Sequence, residues 1–430
     1  MKKTTIARLL PAALLALGSG AASAAGFQLL EQNASGIGNA YAGSAAVAEN
    51  ASTIFFNPAG MTQLQAREVS LGISAVRPSF EFKDKGSVGG ALSGNGDDAG
   101  DWAAIPNAYL SWALNKDLYL GVGFSGPFGL VTDYGDRWVG SAQANKFEIK
   151  TININPSLAW RVNDKVSLGV GVNWQRMEAE YERIIAVSNL GPVPLASSTA
   201  KLEVDNDAWG WNVGALFTLS PSTKVGVSYR SKVDHKLKGD LKIAGGAAQF
   251  GAINPRLQTA DAKVDVELPD TFIISTTQKL SDRWEMLGDL SWTGWSSVKD
   301  VPIVRDSGPL AGTTAQTLEA DFKDTWRVAL GANYLLNDAW KLKFGIAYDQ
   351  TPVKDKERRL VSLPDNDRTW FTFGGQWKVS KSNTLDLGAA YLYVPKTKID
   401  NNQLADGRGR VTGEYTSSVW ILGAQYSMAF

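Results

Sequence analysis

The stretch Val166-Ser167-Leu168-Gly169-Val170-Gly171-Val172-Asn173-Trp174 decides how this chain is built. Every even position is apolar and every odd one is small or polar. Side chains of an extended strand point alternately to opposite faces, so a period of two marks a strand with one greasy face. The pattern returns far downstream. Trp326, Val328, Leu330, Ala332 and Tyr334 alternate with Arg327, Ala329, Gly331 and Asn333. Leu342, Phe344, Ile346 and Tyr348 interleave with Lys343, Gly345, Ala347 and Asp349, and Leu385, Leu387, Ala389, Tyr391 and Tyr393 with Asp386, Gly388, Ala390 and Leu392.

A soluble sandwich shows such alternation too. Three features point instead to a membrane barrel. Several strands outrun the usual length of about 5–6 residues. Tight and long connections alternate, as between the two sides of an outer membrane. Aromatics stand beside the tight turns, where an interfacial girdle would lie: Tyr119, Trp160, Phe217, Trp284, Trp340 and Trp377.

Six tight turns are legible: 115–117, 163–165, 221–223, 281–283, 337–338 and 381–383, built from Asn, Asp, Ser and Pro. They lie roughly 44–60 residues apart, room for two strands of about 10 residues and an outer loop. Six turns join twelve strands, and one more precedes and one follows. The expected fold is all-β, a fourteen-stranded antiparallel transmembrane barrel. Its last strand places Trp420, Leu422, Ala424, Tyr426, Met428 and Phe430 on one face. A terminal Phe on such a strand resembles the signal by which barrel-assembly machinery recognises its clients.

The chain's two ends fit that fold. Lys2, Lys3 and Arg8 precede the apolar run Leu9–Leu17, and Ala22-Ser23-Ala24 is a small-x-small cleavage site. Residues 1–24 therefore read as a signal peptide, the apolar run being far short of the about 20 residues of a spanning helix. Residues 25–66 do not alternate; they are rich in Ala and Gly, and Gly43–Asn50 reads as a short helix. A fourteen-stranded barrel is wider than the roughly eight-stranded ones that side chains alone fill. Residues 25–66 are thus expected to form a hatch, and 67–430 the wall.

Composition removes other classes. Among 430 residues there is no Cys and a single His, so thiolate chemistry and a multi-histidine zinc site are excluded. Forty-three basic side chains balance forty-three acidic ones, unlike a nucleic-acid binder. No cofactor is expected. Gly36-Ile37-Gly38 lacks the strand and third glycine of a dinucleotide loop. Asp365-Asn366-Asp367 lacks the glycine and distal Glu of a calcium loop.

Gly26-Phe27-Gln28-Leu29 with Glu31, then Ala34 to Gly43, then Asn57-Pro58-Ala59-Gly60-Met61, resembles the plug signature of the FadL/TodX family of outer-membrane transporters. Phe322-Lys323-Asp324 before Arg327, and Pro364-Asp365-Asn366-Asp367-Arg368 before Trp370, extend the likeness across the chain. The resemblance implies capture of long-chain fatty acids, or alternatively of aromatic hydrocarbons or alkanes, in an apolar pocket, with sideways release through the wall. Moving a sixteen-carbon tail from water is worth on the order of 12 kcal/mol, so such a cargo avoids a water-filled pore. Expected partners are this hydrophobic ligand, outer-membrane lipid and lipopolysaccharide, and the assembly machinery; the chain is expected to act as a monomer.

Three sites follow. Ser125-Gly126-Pro127-Phe128-Gly129 interrupts the third strand, because Pro lacks a ladder donor and Gly weakens pairing. The resemblance makes this the lateral opening; otherwise the strand ends at the rim. Asn57, Pro58 and Ala59 anchor the hatch by the same likeness, though Asn-Pro also starts ordinary turns. By the same likeness Phe27 reaches toward the ligand pocket, or it is a packing residue. Arg183 is expected to pair with the ligand head group, or to be solvated or bridged to a neighbour such as Glu180, with Lys323 a second candidate of that type. The rival class, a lipid-hydrolysing enzyme, would need His235 as its base; that histidine is expected at an exposed loop edge.

Overall fold

A computed structural model describes residues 26–135, 137–185 and 198–430. The expected leader lies outside the described residues. The first two wall strands are β1 (Arg67–Asp84) and β2 (Ala103–Ala113). The third is broken into β3 (Leu118–Ser125) and β4 (Gly129–Asp133). Three long ones follow, β5 (Lys146–Asn163), β6 (Val166–Ile184) and β7 (Thr199–Ser220). The next four are each in two pieces: β8 (Thr223–Arg230) with β9 (Val233–Ala244), and β11 (Thr271–Lys279) after β10 (Ala260–Leu268). Then come β12 (Trp284–Thr293) with β13 (Asp300–Arg305), and β14 (Thr314–Glu319) with β15 (Thr325–Leu335). β16 (Trp340–Asp349) and β17 (Arg368–Lys378) are whole. β18 (Asn383–Tyr393) and β19 (Thr397–Asn402) share the thirteenth, and β20 (Arg410–Ala429) is the fourteenth.

Chain neighbours pair antiparallel, and β1 closes on β20 from Glu68↔Ala429 to Asp84↔Gly413. The result is a closed fourteen-stranded barrel, whose ladder satisfies most backbone donors and acceptors in a bilayer. All six tight turns fall between the strands they were expected to join. Leu168, Val170 and Val172 are 43–47% exposed while Ser167 and Asn173 are buried, so the greasy face points to lipid. Trp160, Trp284, Trp340 and Trp377 are exposed near the turns, Trp340 stacking on Trp377 at 5.7 Å. Tyr119 departs from the expected girdle. It is 6% exposed and packs inward with Ile54 and Met61, because Leu118, Leu120 and Val122 hold the outward positions of β3.

The small face of the strands looks inward onto residues 26–64. On nine strands a glycine stands where a Cβ would meet this leading segment: Gly121, Gly169, Gly214, Gly226, Gly331, Gly345, Gly374, Gly388 and Gly423. At Gly374 the added atom would lie 2.9 Å from the Gly38 Cα, and at Gly226 it would strike the Ala45 carbonyl. The segment's only α-helical turn among the described residues is α1 (Thr53–Phe56), flanked by 3-10 turns at Ile37–Asn39 and Pro58–Gln63. Gly43–Asn50 is not helical: Gly43 and Ala48 both have left-handed backbone, φ 79° and 47°, which breaks a right-handed helix. A Gly226→Val substitution is expected to cost about 1–3 kcal/mol by overpacking. Faster protease nicking within residues 26–66 would register it, and an unchanged rate would contradict it.

Candidate functional site

The third strand loses its partner on one side at Ser125. β2 pairs with β3 only as far as Ala108↔Phe124, whereas β5 continues past the break to β4, from Gly129↔Lys150 to Asp133↔Lys146. Among the described residues no wall strand takes the vacated side of Ser125–Thr132. The chain's own leading residues occupy it: Leu29 N–H donates to the Pro127 carbonyl and Gly129 N–H to the Phe27 carbonyl, both at 2.8 Å. Gln28 and Phe128 are thus bridged antiparallel, and the Gln32 amide donates to the Gly126 carbonyl at 2.8 Å. Pro127 supplies a carbonyl without needing a donor slot, which is how an interrupted strand can still be capped.

Phe27 reaches from this patch into an apolar cavity of about 80 Å³. Its ring lies 4.9 Å from Trp295 and 5.9 Å from Phe128. Ile149, Met177, Leu202, Val264 and Phe322 line the wall side, and no polar surface faces the space. Leu360 and Leu363 roof it from the 350–367 connection, which is pinned by Thr132 Oγ1 on the Ser362 carbonyl at 3.1 Å. Asp365 in that roof accepts the Gly26 N–H at 2.9 Å and the Thr351 hydroxyl at 2.6 Å, and pairs with Arg368. The likeness to a calcium loop therefore resolves into a clamp on Gly26. Outside it, Lys354 binds Asp321 at 2.7 Å and holds that carboxyl below its ordinary value.

A second, larger cavity of about 660 Å³ lies beyond the first and shares Tyr181, Leu202 and Ile303 with it. Arg183 lines it. Lys323 does not line either cavity. It lies exposed in the connection between β14 and β15, and its neighbour Phe322 faces the apolar space instead. His235 is corrected as well: it is fully buried on the inner face of β9, 3.0 Å from the Gln175 amide oxygen. Period-two alternation puts it beside Val233 and Leu237, while Asp234 and Lys236 take the solvent side. No carboxylate among the described residues is hydrogen-bonded to it.

Below the tip, the leading segment is fastened around the barrel. Asn57 donates to the Ala45 and Ala215 carbonyls at 2.7 and 2.9 Å and caps the turn that begins Pro58-Ala59 by accepting the Ala59 N–H at 3.1 Å. Thr62 bonds Ser167 at 2.7 Å, Arg327 bonds the Ala40 carbonyl at 2.6 Å, and Thr372 bonds the Gly38 carbonyl at 2.9 Å. Sequence reading missed the ionic fastening. Lys343, 1% exposed, joins Glu49 of the segment to Asp386 of the wall at 2.5 and 3.0 Å. The available signal was a lysine and an aspartate on the small, inward face of two strands, since buried charges are almost always paired.

Comparison with known proteins agrees with this architecture. Residues 15–430 match the family described as outer membrane protein transport protein (OMPP1/FadL/TodX). The chain is 28% identical to the long-chain fatty acid transport protein of Escherichia coli O6:H1, with both chains fully covered. It is 32% identical to the 47 kDa outer membrane protein of Pasteurella multocida, over 91% of this chain and 92% of that one. A FadL homologue from Pseudomonas aeruginosa superposes with a TM-score of 0.84 over 94% of this chain and 99% of that one, at 24% identity. The toluene transporter TodX of Pseudomonas putida superposes at 0.69 over 93% and 98%, at 17% identity. A closed, lipid-facing barrel and a family match over nearly the whole length lead to one conclusion: this chain is a multi-pass outer-membrane protein that belongs to the OMPP1/FadL/TodX family of transport proteins.

Proposed function

We propose that the protein takes up long-chain fatty acids, holding the tail in the apolar cavity and releasing it sideways through the interruption between β3 and β4. The observation that carries this reading is the double engagement of Phe27 and its neighbours. The same short tip fills the apolar cavity and caps the unpaired edge at Gly126–Gly129. A tail that displaces Phe27 therefore also uncaps the wall. The cavity as it stands is well below the about 300–1,000 Å³ of small-molecule sites, so tail and tip compete for one space. Only a difference in ligand affinity between the capped and uncapped states is needed to drive the exchange.

In this scheme residues 1–24 are removed on export, 25–66 are the hatch and 67–430 the wall. Asn57, Pro58 and Ala59 keep the hatch base in place. Lipid and lipopolysaccharide surround a monomer whose terminal Phe430 is read by the barrel-assembly machinery. The wholly apolar lining of the cavity fits a carrier of lipid. Aromatic hydrocarbon is the second reading, supported by the fold shared with TodX.

A strain lacking this protein is expected to lose palmitate uptake and keep normal entry of small polar solutes. Radiolabelled palmitate accumulation measures it. Undiminished accumulation in a strain without a second family member overturns the assignment, and selective loss of toluene uptake would move it to the second reading.

A further inference from the structure

Where β2 and β3 part, the inner corner of the interruption ends on polar side chains whose hydrogen-bonding capacity is unspent. Beyond Ala108↔Phe124 the next residues of the two edges are Asn107 and Ser125. Alternation turns both inward, and they are 1% and 2% exposed. Neither the amide nitrogen nor the amide oxygen of Asn107 has a hydrogen-bond partner among the described residues. The amide rests over Gly72 of β1, where a Cβ would come within 2.6 Å of its oxygen, so that glycine makes its room. Gln32 of the leading segment meets the same corner at Gly126. It is fully buried, and its Nε2 holds the Leu29 and Gly126 carbonyls at 2.9 and 2.8 Å. Its Oε1 accepts no hydrogen bond among the described residues. The Tyr109 hydroxyl, on the face it shares with Asn107, donates to the Gln32 carbonyl at 2.7 Å and fixes that residue in place. Buried polar atoms are nearly always paired, so a buried amide with both ends idle calls for an explanation beyond packing.

We propose that Asn107 and Gln32, with the Ser125 hydroxyl, form a polar sill that hydrogen-bonds the head group of a lipid while it passes sideways out of the barrel. The ligand class is a long apolar chain that ends in a carboxylic acid or a hydroxyl. The Asn107 N–H serves a head-group oxygen, and the Asn107 and Gln32 amide oxygens accept from a head-group O–H. A polar head that enters the wall without such partners loses its hydrogen bonds to water uncompensated, which slows the crossing. The apolar cavity offers no polar surface that could take this part. The sill meets the head group only after the tip has left Gly126–Gly129, so it speeds passage without tightening the resting complex. The inference rests on the sideways-release reading above and adds head-group selectivity to it.

The test measures three things on Asn107→Leu, Asn107→Ala and Asn107→Ser: palmitate uptake by cells, palmitate binding to the full-length protein in lipid nanodiscs, and thermal unfolding. Asn107→Leu keeps the size of the side chain and removes both polar atoms. It is expected to bind palmitate as the native protein does and to deliver it about three- to tenfold more slowly, the value of one uncharged hydrogen bond. Its unfolding temperature should stay the same or rise, because no bond to a described residue is lost. Asn107→Ala is expected to slow delivery as well, although it widens the passage, and Asn107→Ser to recover part of the rate. Native uptake rates in both the Leu and the Ala variants overturn the sill. A lowered unfolding temperature together with weakened binding overturns it too, by making Asn107 a structural residue. Palmitate uptake that survives a covalent lock of Gln28 to Phe128 would instead remove the sideways-release reading on which the sill rests.

Discussion

Joining Gln28→Cys to Phe128→Cys by a disulfide is expected to stop palmitate uptake, and reduction is expected to restore it. The two residues face one another across an antiparallel bridge flanked by the Leu29–Pro127 and Gly129–Phe27 hydrogen bonds. They form the non-hydrogen-bonded kind of pair, whose Cα atoms stand about 4.5 Å apart, inside the roughly 4.4–6.8 Å span of a disulfide. The chain has no cysteine of its own, so no other pairing competes. A matching lock at the base, Thr62→Cys with Ser167→Cys, replaces two hydroxyls 2.7 Å apart and is expected to leave uptake unchanged. The contrast follows from how the segment is held. Its base is bonded to strands all around the barrel, whereas residues 26–29 bond the broken strand, Asp365, Thr271 and Thr293. Full uptake with the oxidised tip pair would show that the cargo leaves by another route. Uptake abolished by the base lock would show that the whole segment moves.

Replacing Lys343 is expected to have the second large effect. Its ammonium donates to the Ser35 carbonyl, to Glu49 and to Asp386, and Lys341 adds a bond to Glu49 at 3.1 Å. Lys343→Met removes the cation between the part-buried Glu49 and the buried Asp386, leaving them Lys341 and the Gln376 amide as partners, a loss of roughly 3–5 kcal/mol. The strain falls on the junction between leading segment and wall rather than on the ladder. The variant is therefore expected to insert as a barrel but to conduct ions in planar bilayers, where the native protein is expected to be nearly silent. Adding Asp386→Asn should recover part of the seal by removing one stranded charge. A silent Lys343→Met protein with unchanged protease resistance would mean that the glycine contacts and hydrogen bonds hold the segment without the ion network.

Much of this molecule is legible before any coordinate is known. Alternation in 166–174, 326–334 and 385–393 identified strands and the face each turns to lipid, because a strand's period is local. Turn residues such as Asn163-Asp164-Lys165 set the strand number, since backbone geometry at a tight turn restricts residue type. The Gly126-Pro127 interruption and the non-alternating leader were visible for the same reason. Local rules also misled where packing overrode them. Tyr119 lies near a turn yet points inward, and Gly43–Asn50 bends around the wall instead of coiling.

Residue order alone determined that a closed antiparallel wall of fourteen strands surrounds a small leading segment, because strand period and turn chemistry depend on near neighbours. Tertiary structure decided which inward glycines admit that segment, that Gln28 sits on Phe128, that Lys343 bridges Glu49 and Asp386, and that Arg183 shares a cavity with Arg305 and Arg408. Those contacts join residues tens to hundreds of positions apart. They exist only once ring closure has set the register of every strand against the next, and no local pattern records that register.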